Sequence, residues 1–276
     1  MLLPGAGEGN RTLVASLEGW SSAIELRPLH QTNGGKYIIF RWRFQWGILI
    51  QYSAVRINRQ ILPPGRIGIA VSGGSDSVAL AFLLTKGGTK RNAARRFVIL
   101  HVDHGLRPES KAEYRFVRSL AKRLGIPFKG CHATVEPARG ESLEMAARRV
   151  RLDFFARCTD KLGLDAIATG HQMDDVAETF LMRLKRASGP EGLAGIKETS
   201  RVGTIRFVRP LLGCRDAELR AYLEKYGERW CEDASNSDEA ILRNKVRHTI
   251  LPFLERELDP RLVEHLSKIT RILQTS

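Results

Sequence analysis

Several clusters in this chain combine residue types that can act on a charged substrate. The first is Ser72-Gly73-Gly74-Ser75-Asp76-Ser77, set between the apolar runs "IGIAV" and "VAL". Two glycines and three serines leave almost no side chain at such a turn, so its backbone amides become its most available feature. A helix starting there adds the positive end of its dipole. This is a layout for a large anion, and Asp76 among the amides can hold a cation. The chain has no GxxxxGKS/T and no GxGxxG, so the turn is neither the common nucleoside-triphosphate loop nor a dinucleotide fingerprint. A plain strand-to-helix turn is the ordinary reading of a glycine pair, and the serines and Asp76 weigh against it.

Other clusters follow. In "HVDHGLR" (101–107), His101 lies within an apolar run and reads as a hydrogen-bonded cap. His104 and Arg107, in the loop beyond, suit contact with phosphate or nucleotide. "ARRVR" supplies Arg148 and Arg151, with Glu144 placed for a helix-supporting ion pair to Arg148. In "HQMDDVAE", His171, Asp175 and Glu178 are spaced to share one helix face. One histidine with two carboxylates is a weak zinc set. Paired carboxylates at a strand end suit either Mg²⁺ on phosphates or a cationic amine, against the ordinary reading of a solvated acidic patch. Asp174 is the ambiguous neighbour. In "RNKVRH", Arg243 and Arg247 project from one helix face, and guanidinium matches planar phosphate oxygens; a solvated basic helix is the alternative.

These residues need elements to hold them. From residue 66 the chain alternates apolar strands ("RIGIAV", "RFVILHVDH", "KGCHATVE", "DAIATGH", "IRFVRPLL") with amphipathic helices such as "SLEMAARRVRLDFFARCTDKLG". That order predicts an α/β fold, a doubly wound and mostly parallel sheet. Ligands in such sheets bind beyond the carboxyl ends of the strands, and three of the polar clusters fall there. Residues 1–62 differ: they are glycine-rich and aromatic with weak periodicity, and are expected to be a poorly ordered extension or the product of a start assigned too early. The expected organisation is this N-terminal extension, a catalytic domain over 63–215 and a helical C-terminal segment over 216–276.

The balance of 44 Lys+Arg against 30 Asp+Glu, a formal net charge of +14, points to a polyanionic partner, nucleic acid first. Four widely spaced cysteines without a CxxC pair suggest neither a disulfide framework nor a zinc ribbon, and fit a reducing cytoplasm. No stretch has the length and apolarity of a membrane span, and the N-terminus lacks a signal-peptide layout.

SGGSDS resembles the SGGxDS signature of the PP-loop ATP pyrophosphatases, whose fold is adenine nucleotide alpha hydrolase-like and which cleave ATP between its α and β phosphates. "HVDHGLRPES" (101–110), "EMAARRVRLDFF" (144–155), "TGHQMDDVAETFLMRLKRASGPEGLAGI" (169–196), "RPLL" (209–212) and "DASNSDEAILRNKVRHTILP" (233–252) follow in order. Together, over residues 64–255, they resemble the tRNA(Ile)-lysidine synthases.

The resemblance implies ATP-dependent adenylation of carbon 2 of the wobble cytidine in isoleucine tRNA with a CAU anticodon. Free L-lysine then displaces AMP to form lysidine. It implies ATP on Ser72, Gly73, Gly74, Ser75, Asp76 and Ser77, Mg²⁺ on Asp76, and catalytic roles for Asp76, His104 and Arg107. Lysine falls to Asp175 and Glu178, and tRNA or the intermediate to Arg148, Arg151, Arg243 and Arg247. The expected partners are that tRNA and lysine, with no membrane and with a homodimer left open.

The family's tyrosine after the second arginine of "ARRVR" is Leu152 here. Relative to long family members the chain is expected to be a catalytic core with a short tail. Related 2-thiocytidine synthesis needs paired cysteines, and amidating relatives leave "RNKVRH" unexplained. A non-catalytic RNA-binding module explains the charge but not the polar clusters at strand ends.

Overall fold

In the computed structural model, the residues described are 12–17, 20–25, 55, 57–85, 89–105, 110–232 and 242–275. The chain divides into two compact units, Met1–Ala54 and Val55–Ser276. In the first, β1 (Thr12–Leu17) and β2 (Trp20–Glu25) pair antiparallel, with Leu17 opposite Trp20. The rest of the expected N-terminal extension up to residue 54 lies outside the described residues. Val55, Ile57, Ile61 and Leu62 belong to the second unit, packed against its core.

The second unit runs β3 (Ile67–Ala70), α1 (Ser75–Thr85), α2 (Lys90–Arg96), β4 (Phe97–Asp103), α3 (Ser110–Leu124), β5 (Phe128–His132), α4 (Leu143–Leu162), β6 (Ala166–Ala168) and α5 (Met173–Leu184). It continues through α6 (Pro190–Leu193), β7 (Thr199–Val202), β8 (Ile205–Val208), α7 (Asp216–Lys225), α8 (Leu242–Lys245), a π-helical turn (Val246–Ile250), α9 (Leu251–Glu257) and α10 (Leu262–Thr275). The strands form one six-stranded sheet in the order β5-β4-β3-β6-β8-β7. All neighbours pair parallel except β7 with β8.

The sheet is doubly wound, as the alternation predicts. Central strands of a covered sheet are apolar on both faces, and Ile67, Ile69, Ile99 and Ile167 are all fully buried. One face packs Val78, Leu80, Leu120, Leu219 and Leu223 from α1, α3 and α7. The other packs Phe154, Phe155 and Cys158 of α4 with Leu100 and Phe207. A third apolar cluster joins Met173, Ala177 and Phe180 of α5 to Leu251 of α9 and to Val263 and Leu266 of α10. That cluster ties the C-terminal helices to the element carrying the acidic residues.

Among the elements not read from the sequence are β1 and β2, in the stretch expected to be a poorly ordered extension, and β7 and α2 of the second unit. Edge strand β7, "TSRV", is exposed along most of its length and lacks the apolar alternation that marks a strand; it forms because Gly203, at φ +56°, turns a tight hairpin into β8. Helix α2, "KRNAARR", has almost no apolar face and is started by the Thr89 hydroxyl accepting from the Asn92 amide.

Candidate active site at the strand ends

Residues 72–77 carry β3 into α1, and Ser77 is the knot of the turn. Its hydroxyl accepts from the Ser72 amide (3.2 Å) and the Gly73 amide (3.3 Å) and donates to the Gly74 carbonyl at 2.9 Å. Gly73 sits at φ +114°, a conformation open to glycine, and its carbonyl accepts from the Cys231 amide at 2.9 Å. The first amides of α1, from Ser75 on, have no carbonyl one turn earlier to bond, so they and the helix dipole face the turn. The end of β6 leans directly on this start. A Cβ added to Gly170 would lie 3.0 Å from the Ser77 amide nitrogen and 3.1 Å from the Asp76 carbonyl carbon.

Asp76 has a buried Oδ1 with no hydrogen-bond partner. Its carboxyl is pushed up to about 8, first by burial and then by the nearby acids Asp216 and Asp175, with Arg247 acting the other way. A carboxylate so placed is short of a positive charge. Mg²⁺ binds through one or two carboxylates together with substrate phosphates, so the residues present fit that ion beside a bound triphosphate.

The carboxyl end of β6 leads into α5, where Gln172 caps the helix: its Oε1 accepts from the Asp174 amide (2.5 Å), and its own amide donates to Asp175 Oδ2 at 3.0 Å. This capping box sets the phase of the two aspartates. Asp175 turns inward with Glu178, and both are buried. Arg243 and Arg247 meet them. Arg243 donates from Nη2 to Asp175 Oδ1 (2.7 Å) and from Nε to Glu178 Oε2 at 2.8 Å. Arg247 donates from Nε to Glu178 Oε1 (2.5 Å) and from Nη2 to Asp175 Oδ1 (3.0 Å) and Glu178 Oε2 at 3.2 Å. The two carboxylates and two guanidiniums form one charge-balanced group.

Asp174 points elsewhere. Its Oδ1 meets Arg215 (Nη2, 2.9 Å) and its Oδ2 accepts from the Asp216 amide at 2.9 Å. Arg215 also binds Glu255 at 3.0 Å and Glu264 at 3.1 Å. The ambiguity between Asp174 and Asp175 is one of direction: Asp175 faces the strand ends, and Asp174 fastens α5 to α7, α9 and α10.

His171 does not share a helix face with Asp175 and Glu178, because α5 begins only after Gln172. Its Nδ1 lies 2.9 Å from the Thr169 hydroxyl. Burial above all lowers it to about 4; Asp175 opposes, and Arg209, Arg243 and Arg151 add to the lowering. The imidazole is therefore neutral at pH 7 and sits among charges from α4, α5, α8 and the segment just after β8.

On β4, His101 is the hydrogen-bonded cap expected of it, its Nδ1 2.7 Å from the Val71 carbonyl. Asp103 accepts from the Gly105 amide at 2.8 Å and pairs with His132 Nδ1 at 2.7 Å, fixing the loop that carries His104. His104 is partly buried with its Nδ1 unpartnered, and burial followed by Arg151 lowers its pKa. Arg107 lies outside the described residues. Arg148 and Arg151 are exposed on α4. Their neighbour Arg149, in the second turn of α4, pairs with Glu141 ahead of the helix, at 2.9 Å. Leu152, where the family has tyrosine, packs beside the Phe154–Phe155 core. Sequence reasoning missed Arg215, Asp216 and the cap Gln172; the spacing Gln-x-x-Asp was the available signal for the last.

Residues 50–254 match the family described as the PP-loop domain. This chain belongs to the PP-loop family. The PP-loop protein is 46% identical over 199 residues to a tRNA(Ile)-lysidine synthase of Thermus thermophilus, an alignment covering 71% of this chain and 37% of that one. It is 43% identical over 204 residues to one of Solibacter usitatus (73% and 44% covered) and 40% identical over 200 residues to one of Pseudomonas syringae (71% and 44%). It therefore spans less than half the length of these curated relatives. Among solved structures, the U34-tRNA thiolase NcsA of Methanococcus maripaludis, with its [4Fe-4S] cluster, superposes with a TM-score of 0.63 at 17% identity, covering 80% of this PP-loop protein and 76% of that chain. At that identity the likeness concerns the fold. No helix among the described residues is long and apolar enough to cross a membrane.

Proposed function

We propose that this PP-loop protein joins free L-lysine to carbon 2 of the wobble cytidine of isoleucine tRNA with a CAU anticodon, in the cytoplasm and at the expense of ATP. The observation that carries this is the adjacency of two sites at the strand ends. One is an anion-binding turn with the underpartnered Asp76. The other is the acidic pair Asp175 and Glu178, backed by Arg243 and Arg247.

In this reading the amides at the start of α1 hold the triphosphate, with Ser77 keeping the turn closed. Asp76 holds Mg²⁺, which when bound offsets the charge on the phosphates. The cytidine O2 attacks the α-phosphorus and pyrophosphate leaves; His104, with its unpartnered Nδ1, and Arg107, by its charge, are assigned the catalytic roles at the phosphates. The lysine side-chain amine then attacks carbon 2, and AMP leaves with the O2 atom. Asp175 and Glu178 hold the amino acid through its ammonium groups, in charge-assisted hydrogen bonds. The attacking amine sheds its proton to solvent; His171, which burial lowers to about 4, is too weak a base to hold that proton at pH 7. Arg148 and Arg151, exposed on α4, contact the tRNA backbone.

The test is incubation with ATP, labelled lysine and isoleucine tRNA, followed by nucleoside analysis. A labelled modified cytidine is expected, and it should be absent with Asp76→Ala protein whose fold is intact. Pyrophosphate release that ignores tRNA and lysine, with no labelled nucleoside, overturns the reading.

A further inference from the structure

The acidic pair is already occupied by the protein's own cations. Asp175 takes three hydrogen bonds, two from the arginines (2.7 and 3.0 Å) and one from the Gln172 amide at 3.0 Å. Glu178 takes three, all from the arginines, between 2.5 and 3.2 Å. A carboxylate offers about four lone-pair sites, and Glu178 is 0% exposed. An ammonium ion cannot reach it while both guanidiniums stay in place.

The arginines are within reach of an external anion. Their side chains are 41% and 32% exposed, against 9% for Asp175 and 0% for Glu178. Guanidinium pairs with phosphate as it does with carboxylate, in bidentate fashion. Arg247 lies in a π-helical turn, a rare conformation that is frequent at functional sites.

We propose that Arg243 and Arg247 mask the acidic pair until phosphate groups draw them out, so that the cationic amino acid binds only after a phosphate-bearing substrate. The inference rests on the proposed function, since it takes lysine as the ligand of Asp175 and Glu178. Carboxylates inside and phosphates outside compete for the same two guanidiniums. Once phosphates hold the arginines, two buried carboxylates are left without counterions, a costly state that a ligand carrying two ammonium groups relieves. The phosphates can be those of the RNA backbone or of the nucleotide, and the experiment separates these sources.

Equilibrium dialysis of labelled lysine is run on the whole chain in three arms: protein alone, protein with a non-cleavable ATP analogue, and protein with isoleucine tRNA. An apparent affinity falls by the fraction of molecules with an open site, so lysine should bind about tenfold to a hundredfold more tightly in at least one phosphate arm. The arm that responds names the source. Linkage requires saturating lysine to tighten binding of that phosphate ligand by the same factor, which filter binding or fluorescence anisotropy reads independently.

Equal lysine affinity in all three arms overturns the masking, as does a missing reciprocal effect. A labelled nucleoside formed without lysine binding in either phosphate arm overturns it too, while leaving the proposed function standing. No lysine binding in any arm, together with no labelled nucleoside, overturns both.

Discussion

Replacing Glu178 by glutamine keeps the shape of a fully buried side chain and removes its charge. In the native protein its two oxygens accept three hydrogen bonds from Arg243 and Arg247, between 2.5 and 3.2 Å. Hydrogen bonds to charged groups contribute roughly 1.5–3 kcal/mol each. Glutamine can place its one oxygen at the Oε2 position, which accepts from Arg243 Nε and Arg247 Nη2, and then turns an amide N–H toward Arg247 Nε, so one bond is lost and the other two lose the acceptor's charge. The arginine side chains, 41% and 32% exposed, recover part of the loss by turning to water. The net cost is then about 2–4 kcal/mol, at the lower edge of what breaking a buried ion pair costs. For a unit of this size each kcal/mol lowers Tm by roughly 2–4 °C, so a fall of roughly 5–15 °C is expected. Circular-dichroism melts should be recorded in phosphate-free buffer, since phosphate competes for the arginines. Glu178→Gln, Arg247→Gln and the double variant complete a cycle in which the single costs should overlap. A Tm within a degree or two of wild type, or single costs that simply add, would refute the reasoning.

Gly170→Ala places a methyl 3.0–3.2 Å from backbone atoms of Asp76 and Ser77. ATP-dependent pyrophosphate release should fall about tenfold or more through the shifted start of α1, with Tm lowered only a few degrees; unchanged release would count against that contact. Arg148→Ala and Arg151→Ala should each lower the salt slope of tRNA binding by about 0.7–0.9, read from binding isotherms at several salt concentrations; identical slopes would remove both from the RNA interface. His171 titrates near 6.5 when unfolded and near 4 in the fold, so between these values the unfolded chain binds more protons and stability falls as pH drops. The urea midpoint of His171→Gln should depend less on pH across that window than that of wild type, and equal dependence would contradict the burial argument.

The strand-to-helix turn at 67–80 was legible because its signature is local, an apolar run, two glycines and a hydroxyl five residues on that closes the loop, although the Cys231 amide and the end of β6 also hold it. The parallel sheet was legible for a similar reason, since buried central strands announce themselves as short apolar runs. The acidic pair was found, but not what it faces. Asp175 and Arg243 are 68 residues apart, and nothing in either segment states that the two meet. The family resemblance, together with the basic balance of the chain, sent the arginines to the tRNA or the intermediate and the carboxylates to lysine. Asp174 and Asp175 could not be told apart because one residue turns a helix by about 100°, and the phase depends on where the helix starts. That start is Gln172, a residue type seldom used as a cap, which also explains why His171 fell off the face assigned to it. Strand β7 was missed because an exposed edge strand need not alternate.

Arg215 gives the C-terminal helices a stake in the strand-end site. One guanidinium is shared by carboxylates on α5, α9 and α10. If α10 peels away, Asp174 loses part of its anchor at the residue next to Asp175, in the first turn of α5. Local opening in proteins proceeds in cooperative blocks, and these contacts place the tail and that turn in one block. Their backbone amides should therefore lose and regain protection against hydrogen exchange together. Heat or denaturant that loosens the last helix reaches Asp175 and Glu178 well before the central strands give way.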